Sequence, residues 1–135
     1  MKTVKVKTVA RKASASLAPS TEKVLVWLEN EAAFCAPPMS KAAYEEASTL
    51  LRMLQFGTQL TMPASRRMPR IGRRTHELRI KDAAAEWRII YRLDSDAVLI
   101  AEIFKKKTRA TPISVINNSK RRLRQYDKAA TNDLG

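Results

Sequence analysis

The residues best suited to chemistry are cations on two neighbouring segments, Glu77–Lys81 and Glu86–Leu93. Alternation of apolar and polar residues predicts a β-hairpin with apolar side chains on one face and charged ones on the other. For both apolar sets to reach one core, Arg79 must pair with Arg88. Like charges directly opposite are destabilising, so this register predicts that something anionic belongs between the two guanidinium groups. The alternative is an ordinary solvated face.

Cations in this arrangement could cleave RNA without a metal. The ribose 2′-OH attacks the neighbouring phosphate, and Arg and Lys side chains stabilise the extra charge of the transition state. A base must take the 2′-OH proton. A lysine among arginines could do so because like charges disfavour its ammonium form, and Glu77 is the alternative. Because DNA lacks the 2′-OH, such a site would be restricted to RNA.

Two further basic groups flank the hairpin. The loop before it holds five arginines in nine residues, namely Arg66, Arg67, Arg70, Arg73 and Arg74. Planar guanidinium forks fit phosphate bidentately. A lysine run, Lys105–Lys107, ends the strand that follows the hairpin. We expect these groups to converge with the hairpin cations on one concave surface that binds a phosphodiester chain. The alternative for the loop is simple solvent exposure.

Composition narrows the class of partner and the compartment. The chain has 135 residues and a net charge of +13, from 26 Lys and Arg against 13 Asp and Glu. Such a balance favours a polyanion: nucleic acid, an acidic protein or an anionic membrane surface. The single cysteine, Cys35, excludes an internal disulfide and favours a reducing cytoplasm. One histidine and no paired-carboxylate motif argue against a metal site, and no apolar run is long enough to span a membrane.

The elements that must position these cations can be read from apolar spacing. Lys23–Leu28 is predicted as the first strand. A helix follows from the N-cap Ser40 to a left-handed cap at Gly57. Residues 58–75 are predicted as a connector without regular structure, because Pro63 and Pro69 interrupt them.

After the hairpin, residues 97–104 are apolar on both faces and predict an interior strand. A last helix opens at Thr111–Pro112. The fold class is therefore α+β, a small antiparallel sheet with an N-terminal helical segment and a C-terminal helix packed on it. We predict a flexible basic arm over residues 1–21, one domain over 22–127 and a frayed tail over 128–135.

Three motifs in order resemble one protein family. They are His-Glu-Leu-Arg-Ile-Lys81, Trp-Arg-Ile-Ile-Tyr91 and Phe-Lys-Lys-Lys-Thr-Arg-Ala-Thr-Pro112. Together they resemble the phage-derived, HigB-like branch of the RelE/ParE toxin superfamily, and the likeness extends over roughly residues 24–126. Two positions depart from the family pattern. His76 stands where an aromatic is usual, and Pro112 stands where many relatives carry a tyrosine or histidine.

The resemblance implies a toxin of a type II toxin–antitoxin module. Such toxins cleave mRNA, usually in the ribosomal A site, by the metal-free 2′-OH route and without a cofactor, and a helix-turn-helix antitoxin neutralises them. Its carry-over gives the candidate catalytic residues as Arg79, Lys81, Arg88, Lys106, Lys107 and Glu77, with Arg88 as the strongest candidate for transition-state stabilisation. The predicted RNA-binding residues are the five loop arginines, Arg92, Lys105 and Arg109.

Two other functions remain open. One is a ParE-like protein that poisons gyrase and needs no catalytic cations. The other is a phage or plasmid nucleic-acid-binding protein that cuts nothing. The Arg79–Arg88 pair favours the nuclease over the gyrase poison.

Overall fold

A computed structural model describes residues 22–36, 38–83 and 85–134 of the chain, with side chains as far as residue 131. The arm predicted for residues 1–21 lies outside the described residues. The strands are β1 Val24–Trp27, β2 Ser65–Arg67, β3 Thr75–Asp82, β4 Ala85–Leu93 and β5 Ala97–Lys106, and the two α-helices are α1 Lys41–Gln55 and α2 Ile113–Leu134. A single 3₁₀ turn, Glu31–Ala33, links β1 to α1.

The five strands form one open sheet in the order β1-β5-β4-β3-β2. All neighbouring pairs are antiparallel except β1 with β5, which is parallel, so the predicted α+β class is confirmed while the sheet is mixed. The connector predicted over 58–75 is wrong at one point, because β2 pairs with β3 inside it. β2 lacks an apolar alternation; its buried residue is Ser65, whose hydroxyl meets that of Tyr91.

The first helix packs where the sequence predicts. The Ser40 hydroxyl accepts a hydrogen bond from the amide of Ala43 at 3.0 Å and caps α1. Past its other end, Gly57 has a φ of +92°, which residues with a side chain rarely adopt. The buried stripe of α1 ends in Leu51 and Leu54 and lies against the apolar face of the β3–β4 hairpin.

The second helix covers the opposite face of the sheet. Four of its side chains form a second core with that face, namely Val115, Ile116, Leu123 and Tyr126. The helix runs to Leu134 and so includes most of the segment predicted as a frayed tail. Just before that segment, an ion pair of 2.7 Å between Arg92 and Asp127 ties the helix to β4. The charged face of the hairpin is therefore partly covered by a helix rather than left open.

The predicted hairpin register is confirmed. Arg79 pairs with Arg88 and Lys81 pairs with Glu86. β5 carries a bulge, since Ile90 pairs with Glu102 while the next residue of β4 pairs with Ile100. The extra residue, Ala101, places two consecutive side chains of β5 on the α2 face.

Candidate functional site

Two cross-strand rows at one end of the sheet gather most of the predicted catalytic residues. One row runs Arg79–Arg88–Phe104 and the other Lys81–Glu86–Lys106, across β3, β4 and β5. We call their five charged residues the basic sheet end. Partners in a row point to the same face, and here that is the α2 face, because the alternate residues of β3 and β4 belong to the α1 core.

The second helix leaves the basic sheet end uncovered. It begins beside the preceding row, where the Thr111 hydroxyl donates to a Glu77 carboxylate oxygen at 3.0 Å. From there it runs away from the site, reaching Asp127 beside Arg92 near the other end of β4. Accordingly Lys81 is exposed and Lys106 is half-buried.

Arg88 lies beneath this surface and is only 1% exposed. Its Nη2 contacts a Glu86 carboxylate oxygen at 2.6 Å, and its Nε lies 3.6 Å from a carboxylate oxygen of Glu77. The chain itself therefore supplies two carboxylates to Arg88, one of the two facing arginines. The Arg79–Arg88 pairing does not require an external anion, which corrects the inference drawn from the sequence. Direct contact of Arg88 with RNA stays a prediction.

Glu77 is 3% exposed and is occupied by Arg88 and Thr111. A ribose hydroxyl has no open approach to a carboxylate so enclosed. Of the two bases considered from the sequence, the structure leaves a lysine of the basic sheet end within reach of a ligand. Glu77 instead anchors the start of α2 to the buried guanidinium.

This region contains four cations and two carboxylates. The cations are Arg79, Lys81, Arg88 and Lys106, and the carboxylates are Glu77 and Glu86. Arg79 is half-buried, and its guanidinium donates to the Met62 sulfur at 3.9 Å, which is a weak acceptor. The carboxylates Glu77 and Glu86 are both directed at Arg88. The other three cations thus retain a surplus of positive charge that faces solvent. Arg66 pairs with Glu77 in the adjoining row and adds a further exposed cation.

Arg92 is on the same strand and face but is engaged by two carboxylates. Its guanidinium donates to both oxygens of Asp94 and both oxygens of Asp127 at 2.7 to 3.0 Å. The hydrogen bond to Asp127 has the largest effect on the pKa of Arg92. Together with the bonds to Asp94 it raises this pKa above its usual range, although burial acts in the opposite direction. Arg74 also reaches Asp94, at 3.5 Å. The hydrogen bonds to Asp94 and Asp127 use four of the five N–H donors of the Arg92 guanidinium, so its predicted RNA contact would have to use the one remaining donor or break these bonds.

The remaining predicted RNA-binding residues do not all converge. Lys105 lies on the α1 face with its ammonium 5.6 Å from the centre of the Trp87 ring, and Arg67 pairs with His76 on that same face. Three loop arginines, Arg70, Arg73 and Arg74, are exposed and precede β3, at the end of that strand away from Lys81. Lys107 and Arg109 are exposed between β5 and α2, on the segment that leads to Thr111. The structure therefore brings together one part of the predicted basic surface and separates the rest.

Residues 38–124, well over half of the chain, match the model of a family described as Phage derived protein Gp49-like (DUF891). The chain belongs to this family. The Gp49-like family lies within the RelE/ParE-like toxin clan, which confirms the resemblance to that superfamily; the HigB-like branch stays a prediction. No curated protein and no solved structure matches the chain.

Sequence analysis missed one residue of this Gp49-like site, Glu86. Its signal was present, because Glu86 faces Lys81 in the predicted register and precedes Arg88 by two residues on the same face of one strand. Among the described residues no group of three or more His, Cys, Asp or Glu side chains is placed to hold a metal ion. Nor does any helix in the described ranges have the length and apolar character to cross a bilayer.

Proposed function

We propose that this Gp49-like protein is the toxin of a type II toxin–antitoxin system and a metal-independent endonuclease that cleaves mRNA at the ribosome and so inhibits translation. The observation that carries the proposal is the surplus of solvent-facing cations at the basic sheet end. The clan to which the family belongs supports the toxin class. The cognate inhibitor is proposed to be a helix-turn-helix antitoxin.

The exposed residues can be given roles in transesterification. Lys81, in its neutral form, takes the 2′-OH proton as the 2′-oxygen bonds to phosphorus. Arg79 and the ammonium of Lys106 stabilise the charge on the phosphoryl oxygens. The bond from phosphorus to the 5′-oxygen breaks, and the leaving oxygen takes a proton from Lys106. The products are a 2′,3′-cyclic phosphate and a 5′-hydroxyl end.

The remaining candidates support this centre. Arg66, Lys107 and Arg109 are exposed around it and are proposed to bind flanking phosphates. Arg88 holds Glu86 between Lys81 and Lys106, and Glu77 holds Arg88. In this proposal Arg88 and Glu77 position the reacting groups.

Lys81→Met tests the proposal against a matched control, Lys105→Met. Both changes remove one lysine from the same end of the sheet, but Lys105 lies on the α1 face beside Trp87. Loss of a general base typically costs about 10²-fold or more in rate. We expect Lys81→Met to lower cleavage by that factor and to relieve growth arrest, and Lys105→Met to leave both nearly unchanged. Induced expression with mapping of mRNA 5′ ends gives both readouts, and equal activity of the two variants would overturn the assignment.

Arg88→Ala is a less direct test because Glu77 would remain buried and unpaired. Breaking a buried ion pair on one side typically costs about 3–5 kcal/mol. Its loss of activity must therefore be corrected for the folded fraction, measured by urea denaturation.

One observation favours a second candidate, a nucleic-acid-binding protein that cuts nothing. The guanidinium of Arg88 is already neutralised by two carboxylates of its own chain. This candidate predicts RNA binding by the purified protein and no new 5′-hydroxyl ends, with or without ribosomes. A gyrase poison predicts neither RNA binding nor cleavage but inhibition of DNA supercoiling.

A further inference from the structure

A second basic surface lies on the outer side of α2. Its four cations, Lys120, Arg121, Arg124 and Lys128, are all exposed. At about 100° per residue, Lys120, Arg124 and Lys128 fall within one quarter of the helix circumference and extend over about 12 Å. We call these four residues the outer stripe. It belongs neither to the basic sheet end nor to either core.

Within the described residues the charge of the outer stripe is met only weakly, since the charge of Arg121 has the smallest of the effects on the pKa of Glu102. Among the side chains that the structure describes, none of the four forms an ion pair, and Arg121 donates only to the amide oxygen of Asn118, at 3.0 Å. Another arginine of the same helix behaves differently. Arg122 turns toward the sheet, where it donates to the Ala101 carbonyl at 2.7 Å and pairs with Glu102 at 3.3 Å.

Leaving these charges unpaired has a cost to the helix. Like charges four residues apart lower helix stability by about 0.2–0.5 kcal/mol per pair, and the stripe contains two such pairs, Lys120–Arg124 and Arg124–Lys128. A polyanion bound along the stripe would remove that repulsion.

We propose that the outer stripe docks the phosphate backbone of an RNA double helix, separately from the strand at the basic sheet end. A protein partner fits less well, because protein interfaces are built around apolar and aromatic anchors. The large exposed apolar side chains of the described residues are Met53, Phe56, Met62 and Ile113, none of them in the stripe. Phosphate contacts need only cations and carry no sequence information. The choice of RNA over DNA rests on the proposed function.

The test uses the full chain carrying Lys81→Met, so that it can be produced without cleavage. Its probe is a fluorescent RNA duplex of about 16 base pairs, a length that a duplex-RNA-binding domain spans. The test variant is Arg124→Gln with Lys128→Gln. The matched control, Lys41→Gln with Arg52→Gln, also removes one lysine and one arginine, but from exposed positions on α1 across the sheet.

Binding is measured by anisotropy over a range of salt concentrations. We expect the stripe variant to bind roughly tenfold more weakly and to lower the slope of log K against log salt by about 2, one unit per lost phosphate contact. The α1 control should change affinity less than about twofold. Equal losses in the two variants would overturn the proposal, because the effect would then come from net charge alone.

Two further arms test the identity of the partner. A DNA duplex of the same sequence that binds more tightly than RNA, with the same dependence on the stripe, overturns the assignment to RNA. Stripe-dependent binding of polyglutamate with unchanged RNA affinity overturns it in favour of an acidic protein. Cleavage of mRNA on ribosomes is measured separately with Lys81 restored. If the wild-type chain cuts nothing, the proposed function fails and the duplex result is unaffected.

Discussion

Arg88 and Arg92 are on one face of the same strand, four residues apart, and lie in two different electrostatic settings. At the Arg92 end, two cations, Arg74 and Arg92, meet two carboxylates, Asp94 and Asp127. At the basic sheet end, four cations meet the two carboxylates Glu77 and Glu86. The first end is balanced and the second keeps a surplus of two positive charges.

The difference shows how one strand can serve both structure and binding. Asp127 comes from α2, so the balanced end is also the end that the helix covers. Because α2 starts only at Ile113, beside the Glu77 row, the far rows have no helical cover and their charge meets solvent. A basic residue in this sheet is therefore informative about function only when its carboxylate partners have been counted.

The largest expected effect comes from breaking the ion pairs of Arg92 at the balanced end. Arg92→Met should lower the free energy of unfolding by about 2 kcal/mol, because it removes the hydrogen bonds of the largely buried Asp94, whereas the exposed Asp127 stays solvated. Arg74→Met is the matched control, since Arg74 is 57% exposed and shares Asp94; an exposed pair contributes at most about 1 kcal/mol. Urea denaturation measures both. RNA affinity per folded molecule should stay within about twofold of wild type. A loss of affinity as large as that of Arg79→Ala would show that the two ends do not divide their roles in this way.

A smaller effect is expected when the surplus of positive charge at the basic sheet end is increased. Glu86→Gln removes a half-exposed carboxylate and raises the surplus from two charges to three. Binding of single-stranded RNA should tighten several-fold, and its salt slope should steepen by about 0.7. Glu45→Gln, at an exposed position on α1, makes the same change in net charge away from the site. If both variants gain affinity equally, the surplus is a property of the whole chain rather than of this end of the sheet.

The smallest effect concerns pH. His76 stacks on Tyr91 with ring centres 5.2 Å apart. Burial is the main cause that lowers the pKa of His76, and the positive charge of Arg67 lowers it further. A histidine whose pKa is lowered on folding contributes stability at pH values above its ordinary pKa, and that contribution is lost as pH falls through this value toward the folded one. The free energy of unfolding should therefore fall between pH 7.5 and pH 5.5, and His76→Phe, which keeps the stack, should reduce that fall. An unchanged pH dependence in His76→Phe would assign it to carboxylates instead.

The hairpin register could be predicted because only one pairing buries both apolar sets, Leu78 and Ile80 against Trp87 and Ile89. The ends of α1 followed from Ser40 and Gly57, whose local chemistry suffices. β2 could not be predicted, since a single inward-facing serine leaves no periodic signal. The docking of α2 on β4 includes a contact between residues 35 positions apart, Arg92 and Asp127, which no local pattern encodes.

The sequence was a better guide to which residues lie together in the candidate site than to which of them are exposed. Residue type and register placed Arg79, Lys81 and Lys106 together. They did not indicate that Arg88 would be enclosed, because its carboxylate partners Glu77 and Glu86 depend on side-chain contacts such as that of Thr111 with Glu77. Lys105 and Lys106 were indistinguishable in a run of three lysines.

The single extra residue in β5 settles which of those lysines faces a ligand. Strand side chains normally alternate, so a bulge that puts two consecutive side chains on one face gives every later residue the opposite facing to that of strict alternation. If β5 alternated strictly through Ala101 instead of bulging there, Lys105 would point to the α2 face and Lys106 to the other, and Ile103 would leave the core that it now shares with Trp87. The bulge at Ala101, five residues earlier in the strand, thus determines that the ammonium group on this face beside Glu86 is that of Lys106.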